Sequence, residues 1–125
     1  MSVEEIKALV MRFVDEPWNK GNVDSIDELC DPEYTVRYAP DNWVGGREDI
    51  KKAALDARMK STDFMATVTE IIVEGDRVAY EWIMAGTEDG KYKKTFGITI
   101  LRLKNGKIIE DRFIADDVRA GETVA

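Results

Sequence analysis

The chain has 125 residues, a length that suits one domain around a single core. A formal net charge of −7 argues against nucleic acid or an anionic membrane surface as partner, since both need clustered Lys and Arg. It contains no histidine and one cysteine, which removes Ser-His and Cys-His nucleophiles, an internal disulfide and most zinc sites. Acid–base chemistry would then need a carboxylate with a raised pKa, or a Tyr or Lys with a lowered one.

Ser2 and Glu5 have the spacing of a capping box, so a helix is predicted from Val3, with Ile6, Leu9, Val10, Phe13 and Val14 as its apolar stripe. It is expected to fray at Pro17-Trp18-Asn19 and to close on Gly21. A second short helix, capped by Asn22 or Asp24, is predicted through Ile26 and Leu29, with Cys30 buried on its apolar face and Pro32 ending it. Asp24, Asp27, Glu28 and Asp31 read as the solvated face of that helix and lack the ligand spacing of a calcium loop.

Residues 34–39 alternate and are rich in β-formers, which predicts a first strand. A loop over residues 40–46 carries Trp43, and a third helix is expected over residues 47–59 with Ile50, Ala53, Ala54 and Ala57 inward. The remainder reads as strand: residues 64–74, 77–87, 95–103 and 107–117, with turns at Gly75-Asp76 and Asp89-Gly90. Asn105-Gly106 joins the last two strands, and both residues suit the positive φ of a type I′ turn. Residues 120–125 are expected to form a frayed tail.

This order, helix, helix, strand, helix and four antiparallel strands, predicts one α+β domain over residues 1–125. Its three helices cover one face of a strongly curved, mainly antiparallel sheet. Such a cone encloses a mostly apolar cavity with a few placed polar groups. No apolar run approaches the roughly 20 residues of a membrane helix, and the N-terminus lacks a signal peptide, so the expected location is cytoplasmic.

Alternation sorts the strands into two faces. Tyr80, Trp82 and Met84 share a face on one strand, Thr99 and Leu101 on the next, and Asp111 and Phe113 on the last. With Tyr38 on the first strand and Trp43 at the mouth, these residues are predicted to line the cavity and bind a small apolar or aromatic molecule. Asp111 among them would move the proton, with no cofactor and no metal. Its alternative is a carboxylate paired with an arginine or wetted at the rim. A one-residue slip would place Arg102, Glu110 and Arg112 inside instead. Phe96, Ile98, Ile100 and Ile114 fall on the opposite face, and so large an apolar outer face predicts a homodimer.

The element order and several local phrases together resemble the SnoaL-like branch of the NTF2-like superfamily. The phrases are Trp18-Asn19-Lys20-Gly21-Asn22, Gly46-Arg47-Glu48-Asp49-Ile50, Val73-Glu74-Gly75-Asp76-Arg77-Val78, Trp82 with Gly86-Thr87, and Phe96-Gly97-Ile98 running into Gly106-Lys107-Ile108-Ile109-Glu110. The resemblance implies the cone fold, pairing through the outer sheet face, and a cofactor-independent cyclase, isomerase or hydrolase. SnoaL-like cyclases commonly end in Gly-Lys-Ile-x-Glu-His-Trp-Asp-x-x-Asp. This chain keeps Gly106, Lys107, Ile108, Glu110 and Asp116, but has Asp111 for the His, Arg112 for the Trp and Phe113 for the inner Asp. Ketosteroid isomerases, similar in fold, would place their Tyr and two Asp at Val14, Tyr38 and Thr99. A limonene epoxide hydrolase-like cluster would draw on Arg102, Arg112, Asp111 and Asp116. The rival expectation is a non-catalytic binding or assembly module with a vestigial cavity.

Overall fold

The protein is described by a computed structural model, in which residues 1–118 can be placed. The expected tail at residues 120–125 lies outside the described residues.

Helix α1 (Val3–Val14) begins at the capping box: the Glu5 amide donates to Ser2 Oγ at 3.1 Å and the Ser2 amide to Glu5 Oε1 at 2.9 Å. Its stripe of Ile6, Leu9, Val10, Phe13 and Val14 is buried. The chain does not fray at Pro17. It widens into a π-helical turn over Asp15–Asn19, with Pro17 buried. Asn19 fixes that turn to the sheet, donating to the Ala66 carbonyl at 2.8 Å and accepting from the Ala66 amide at 2.7 Å. Gly21 follows at φ +73°, a conformation that favours glycine.

Helix α2 (Ser25–Leu29) is shorter than its pattern suggested. Strand β1 (Cys30–Tyr38) starts directly behind it, so Pro32 lies within the strand and Cys30 is its first residue, not a helical one. A two-residue strand β2 (Val44–Gly45) pairs with β1 at Val36 and Arg37. Helix α3 (Arg47–Lys60) then crosses the concave side, with Ala54 buried and Ala53 exposed at the cavity mouth.

Strands β3 (Met65–Glu74), β4 (Arg77–Glu88), β5 (Lys91–Lys104) and β6 (Lys107–Asp117) form an antiparallel meander. Asp89-Gly90 and Asn105-Gly106 turn it with paired positive φ values of 52° and 77°, and 51° and 77°. Strand order is β2-β1-β6-β5-β4-β3, and β1 runs parallel to β6, so the sheet is mixed at that one seam. Register shifts between Val68 and Glu70 and between Arg102 and Leu103 mark β-bulges, which bend strands and increase twist. The three helices lie on the concave side of this cone, and the core sits between them and the sheet. Among the described residues, no helix is long and apolar enough to cross a membrane.

Candidate functional site

At the open end of the cone the core gives way to a cavity of about 260 Å3. Phe13, Val14 and Trp18 supply one wall, Ile50 and Ala53 of α3 another, and Val36, Tyr80, Trp82, Met84 and Phe113 of the sheet the floor. The walls are apolar. The polar groups reaching it are Asp111, Thr99, Thr95 and Asp49.

Asp111 is 5% exposed. Its place follows from register: β6 lies between β1 and β5, and Asp111 stands opposite Val36 on one side and Leu101 on the other. Neither neighbour offers a charge. The Tyr34 hydroxyl donates to Asp111 Oδ2 at 2.5 Å within the core. That tyrosine packs edge-on against Phe13 at 6.4 Å. Among the described residues Oδ1 accepts no hydrogen bond and yet is not a fully enclosed unpaired oxygen, so it keeps a small accessible surface. Because Asp111 lines the cavity, that surface is where a ligand can meet it.

Burial pushes the Asp111 carboxyl up to about 7, and the Tyr34 hydrogen bond, which favours the ionised form, only partly opposes this. Among the described residues no arginine or lysine forms an ion pair with Asp111, and it does not lie wetted at the rim. A carboxyl in this state both accepts and donates a proton near neutral pH. Burial also drives the Tyr34 hydroxyl well above its ordinary value, with Asp111 adding to the effect, so Tyr34 stays a neutral donor. The Cys30 thiol is pushed up to about 12 by burial and then by Asp111, which makes it an inert buried hydrophobe.

Trp82 Nε1 donates to Thr99 Oγ1 at 2.9 Å, and the one proton of the Thr99 hydroxyl is left for the neighbouring Tyr80 oxygen or a ligand. Burial raises the neighbouring Tyr80 hydroxyl well above its ordinary value, Asp111 adds to this, and Thr99 opposes it. The Trp82 ring lies against Gly97. A Cβ there would meet the Trp82 ring and would stand 2.6 Å from the Ile114 carbonyl, so only glycine leaves the indole this seat.

Seven of the nine residues singled out by alternation and by the loop meet at this cavity: Trp43, Tyr80, Trp82, Met84, Thr99, Asp111 and Phe113. Trp43 is half exposed and folds over Gly45 at the mouth. Two do not meet it, and the sequence-based expectation is corrected there. Leu101 is fully buried one step deeper, opposite Val78 and Asp111, and does not line the cavity. Tyr38 stands over Phe113 at 5.3 Å and its hydroxyl donates to the Ala115 carbonyl at 3.3 Å, outside the cavity. Tyr34, two turns of the pleat earlier on the same face, is the tyrosine that meets the carboxylate. Its signal was present, because it shares parity with Val36 and Tyr38.

Arg102, Glu110, Arg112 and Asp116 have the opposite strand parity to Asp111 and present their side chains to the outer face, so the Asp-Arg-Asp cluster of an epoxide hydrolase is not assembled. Arg102 pairs with Glu110 at 2.8 Å. Asp27 pairs with Lys51 at 2.8 Å and Arg47 at 3.5 Å, joining α2 to α3. Among the described residues no group of three His, Cys, Asp or Glu is placed to hold a metal ion.

A family model described as SnoaL-like polyketide cyclase matches residues 8–122. No curated protein matches the chain. Among solved structures, a candidate polyketide cyclase from Bacillus cereus is 27% identical with a TM-score of 0.80, over 93% of this chain and 79% of that one. TsrD from Streptomyces laurentii is 20% identical with a TM-score of 0.81, over 93% and 91%. A de novo designed protein with a curved β-sheet is 23% identical with a TM-score of 0.70, over 93% and 88%. The last two likenesses speak for the fold alone, which carries no activity of its own.

Proposed function

The chain belongs to the SnoaL-like polyketide cyclase family, and from that premise we propose that it is a cofactor-independent acid–base enzyme acting on a small cyclic or aromatic ketone. The observation that carries this reading is Asp111: a buried carboxyl pushed up to about 7, fixed through Oδ2 by Tyr34, with Oδ1 open at the cavity. Apolar walls bind the rings. An engineered apolar cavity of about 150 Å3 takes a benzene ring, so the 260 Å3 here suits two fused rings or one substituted ring.

The step is proton abstraction next to a carbonyl. Asp111 Oδ1 takes the proton, the C–H electron pair moves through carbon to the carbonyl oxygen, and the Thr99 hydroxyl donates to the charge that develops there. Asp111 then returns the proton, to the same carbon or to another. Tyr34 is a positioning residue, Trp82 holds Thr99, and Trp43 limits water at the mouth. We further propose a homodimer through the outer sheet face, where Phe96, Ile98, Ile100 and Ile114 are 42%, 52%, 37% and 58% exposed.

The test is hydrogen–deuterium exchange into 2-tetralone, a fused two-ring enolisable ketone, followed by NMR in heavy water. The chain should speed the exchange, and Asp111→Asn should abolish it while quenching of tryptophan fluorescence by the ketone persists. A second reading, a binding module without turnover, draws on Phe113 standing where the family's cyclases place an Asp. It predicts quenching in both proteins and accelerated exchange in neither. Absence of both quenching and exchange would overturn the two readings together.

A further inference from the structure

The outer face of the sheet carries a second cleft, which shares Asp111 alone with the cavity lining. It has a volume of about 330 Å3, and four arginines line it: Arg37 of β1, Arg77 of β4, Arg102 of β5 and Arg112 of β6. Register sets them in two like-charge pairs. Arg37 stands directly opposite Arg112, and Arg77 directly opposite Arg102. Like charges directly opposite on neighbouring strands destabilise a sheet.

Internal compensation is sparse. Glu110 is the carboxylate side chain of the outer face that lines the cleft, and it is committed to Arg102 at 2.8 Å. Its carboxyl is held below the usual carboxylate range by Arg102 first, with Arg77 and Arg112 adding. Among the described residues, Arg37, Arg77 and Arg112 form no ion pair. On the outer face four arginines stand against Glu110, an excess of three positive charges on a chain whose net charge is −7. Asp111, which also lines the cleft, is buried behind it, and Asp76 acts on Arg102 from the turn. A concentration of cations against so acidic a background has no account in the stability of the sheet.

The ligand chemistry follows from charge and span. Arginine presents a planar fork that matches phosphate oxygens two at a time. From β4 to β1 is three strand spacings, about 14 Å, too wide for one phosphate to engage every arginine. A phosphate carries roughly 1.5 to 2 negative charges near neutral pH, so two phosphates balance the cleft and one does not. We propose that this cleft binds a small molecule bearing two or more phosphate groups. The cleft adjoins the apolar patch around Ile98 and Ile114 and shares Arg37, Ile100 and Arg112 with it.

Isothermal titration with inorganic diphosphate at low ionic strength tests it, with inorganic monophosphate as comparison. One diphosphate should bind per chain, more tightly than monophosphate and more weakly as salt rises. The double variant Arg37→Gln/Arg112→Gln should weaken binding about tenfold or more. It should keep or raise the melting temperature, because it removes an exposed like-charge pair. Lys52→Ala, an exposed lysine paired with Asp56 on α3, should leave binding unchanged. Absence of saturable binding would overturn the proposal. So would equal affinity for monophosphate, or binding that survives the double variant. If diphosphate does not bind and the double variant dissociates a dimer, the arginines serve a second copy's carboxylates, and the proposal is also overturned.

Discussion

Asp111→Asn isolates the cost of the buried carboxyl, and its effect on stability depends on pH in a direction the structure fixes. The folded-state pKa, about 7, lies above the unfolded value of 3.8. Below pH 4 both states hold the proton and Asp111 carries no electrostatic cost. As pH rises, the unfolded chain ionises while the folded chain keeps its proton, so stability is lost up to about pH 7 and is flat beyond it. Three pH units at about 1.4 kcal/mol each give a loss on the order of 4 kcal/mol. Against a typical domain stability of roughly 5–15 kcal/mol that is a large share. At about 4 °C per kcal/mol it corresponds to a melting-temperature difference on the order of 15 °C. Asparagine keeps the shape, accepts from Tyr34 and does not titrate. Urea melts of both proteins at about pH 4.5, 6 and 8 should therefore show the variant gaining on the parent as pH rises, with most of the gain complete by pH 7. A gap that stays constant across that range would refute the buried, uncompensated state of Asp111.

Tyr34→Phe removes the hydrogen bond that favours the ionised form, so the Asp111 midpoint should move upward by about one unit, read by carboxyl NMR; a downward shift would contradict the pairing. Thr99→Val leaves the buried Trp82 N–H without its acceptor and should cost about 1–3 kcal/mol in a urea melt while weakening ketone binding. Gly97→Ala drives a methyl group into the Trp82 ring and toward the Ile114 carbonyl, so a loss of about 1–3 kcal/mol with altered tryptophan fluorescence is expected. Ile98→Asp places a charge in the exposed apolar patch, and sedimentation should change from a dimer to a single chain of 14.2 kDa.

What the sequence made legible was local. The capping box at Ser2 and Glu5, the Asn105-Gly106 turn and the parity of Tyr80, Trp82, Thr99, Asp111 and Phe113 each depend on residues a few positions apart, where spacing alone decides the geometry. The Tyr34–Asp111 contact spans 77 residues and is made by a parallel seam between β1 and β6 that no turn announces. Parity puts Tyr34 on the cavity face, but only the β1–β6 seam sets it against Asp111, so spacing does not choose between it and an arginine as the partner. Alternation names a face but not a depth, which is why Leu101 fell below the cavity and Tyr38 beside it. The early end of α2 at Leu29 was hidden because Cys30 continues the apolar pattern equally well as helix or strand. The two-residue β2 is too short to carry any period.

The central claim is that a carboxyl at the cavity floor titrates near neutral pH with no charged partner. Carbon-13 NMR of aspartate-labelled protein, with the Asp111 signal assigned by its loss in Asp111→Asn, reads this directly. The claim predicts a single carboxyl with a midpoint near 7 that moves upward in Tyr34→Phe. An Asp111 signal already ionised at pH 5, unmoved by that substitution, would contradict it.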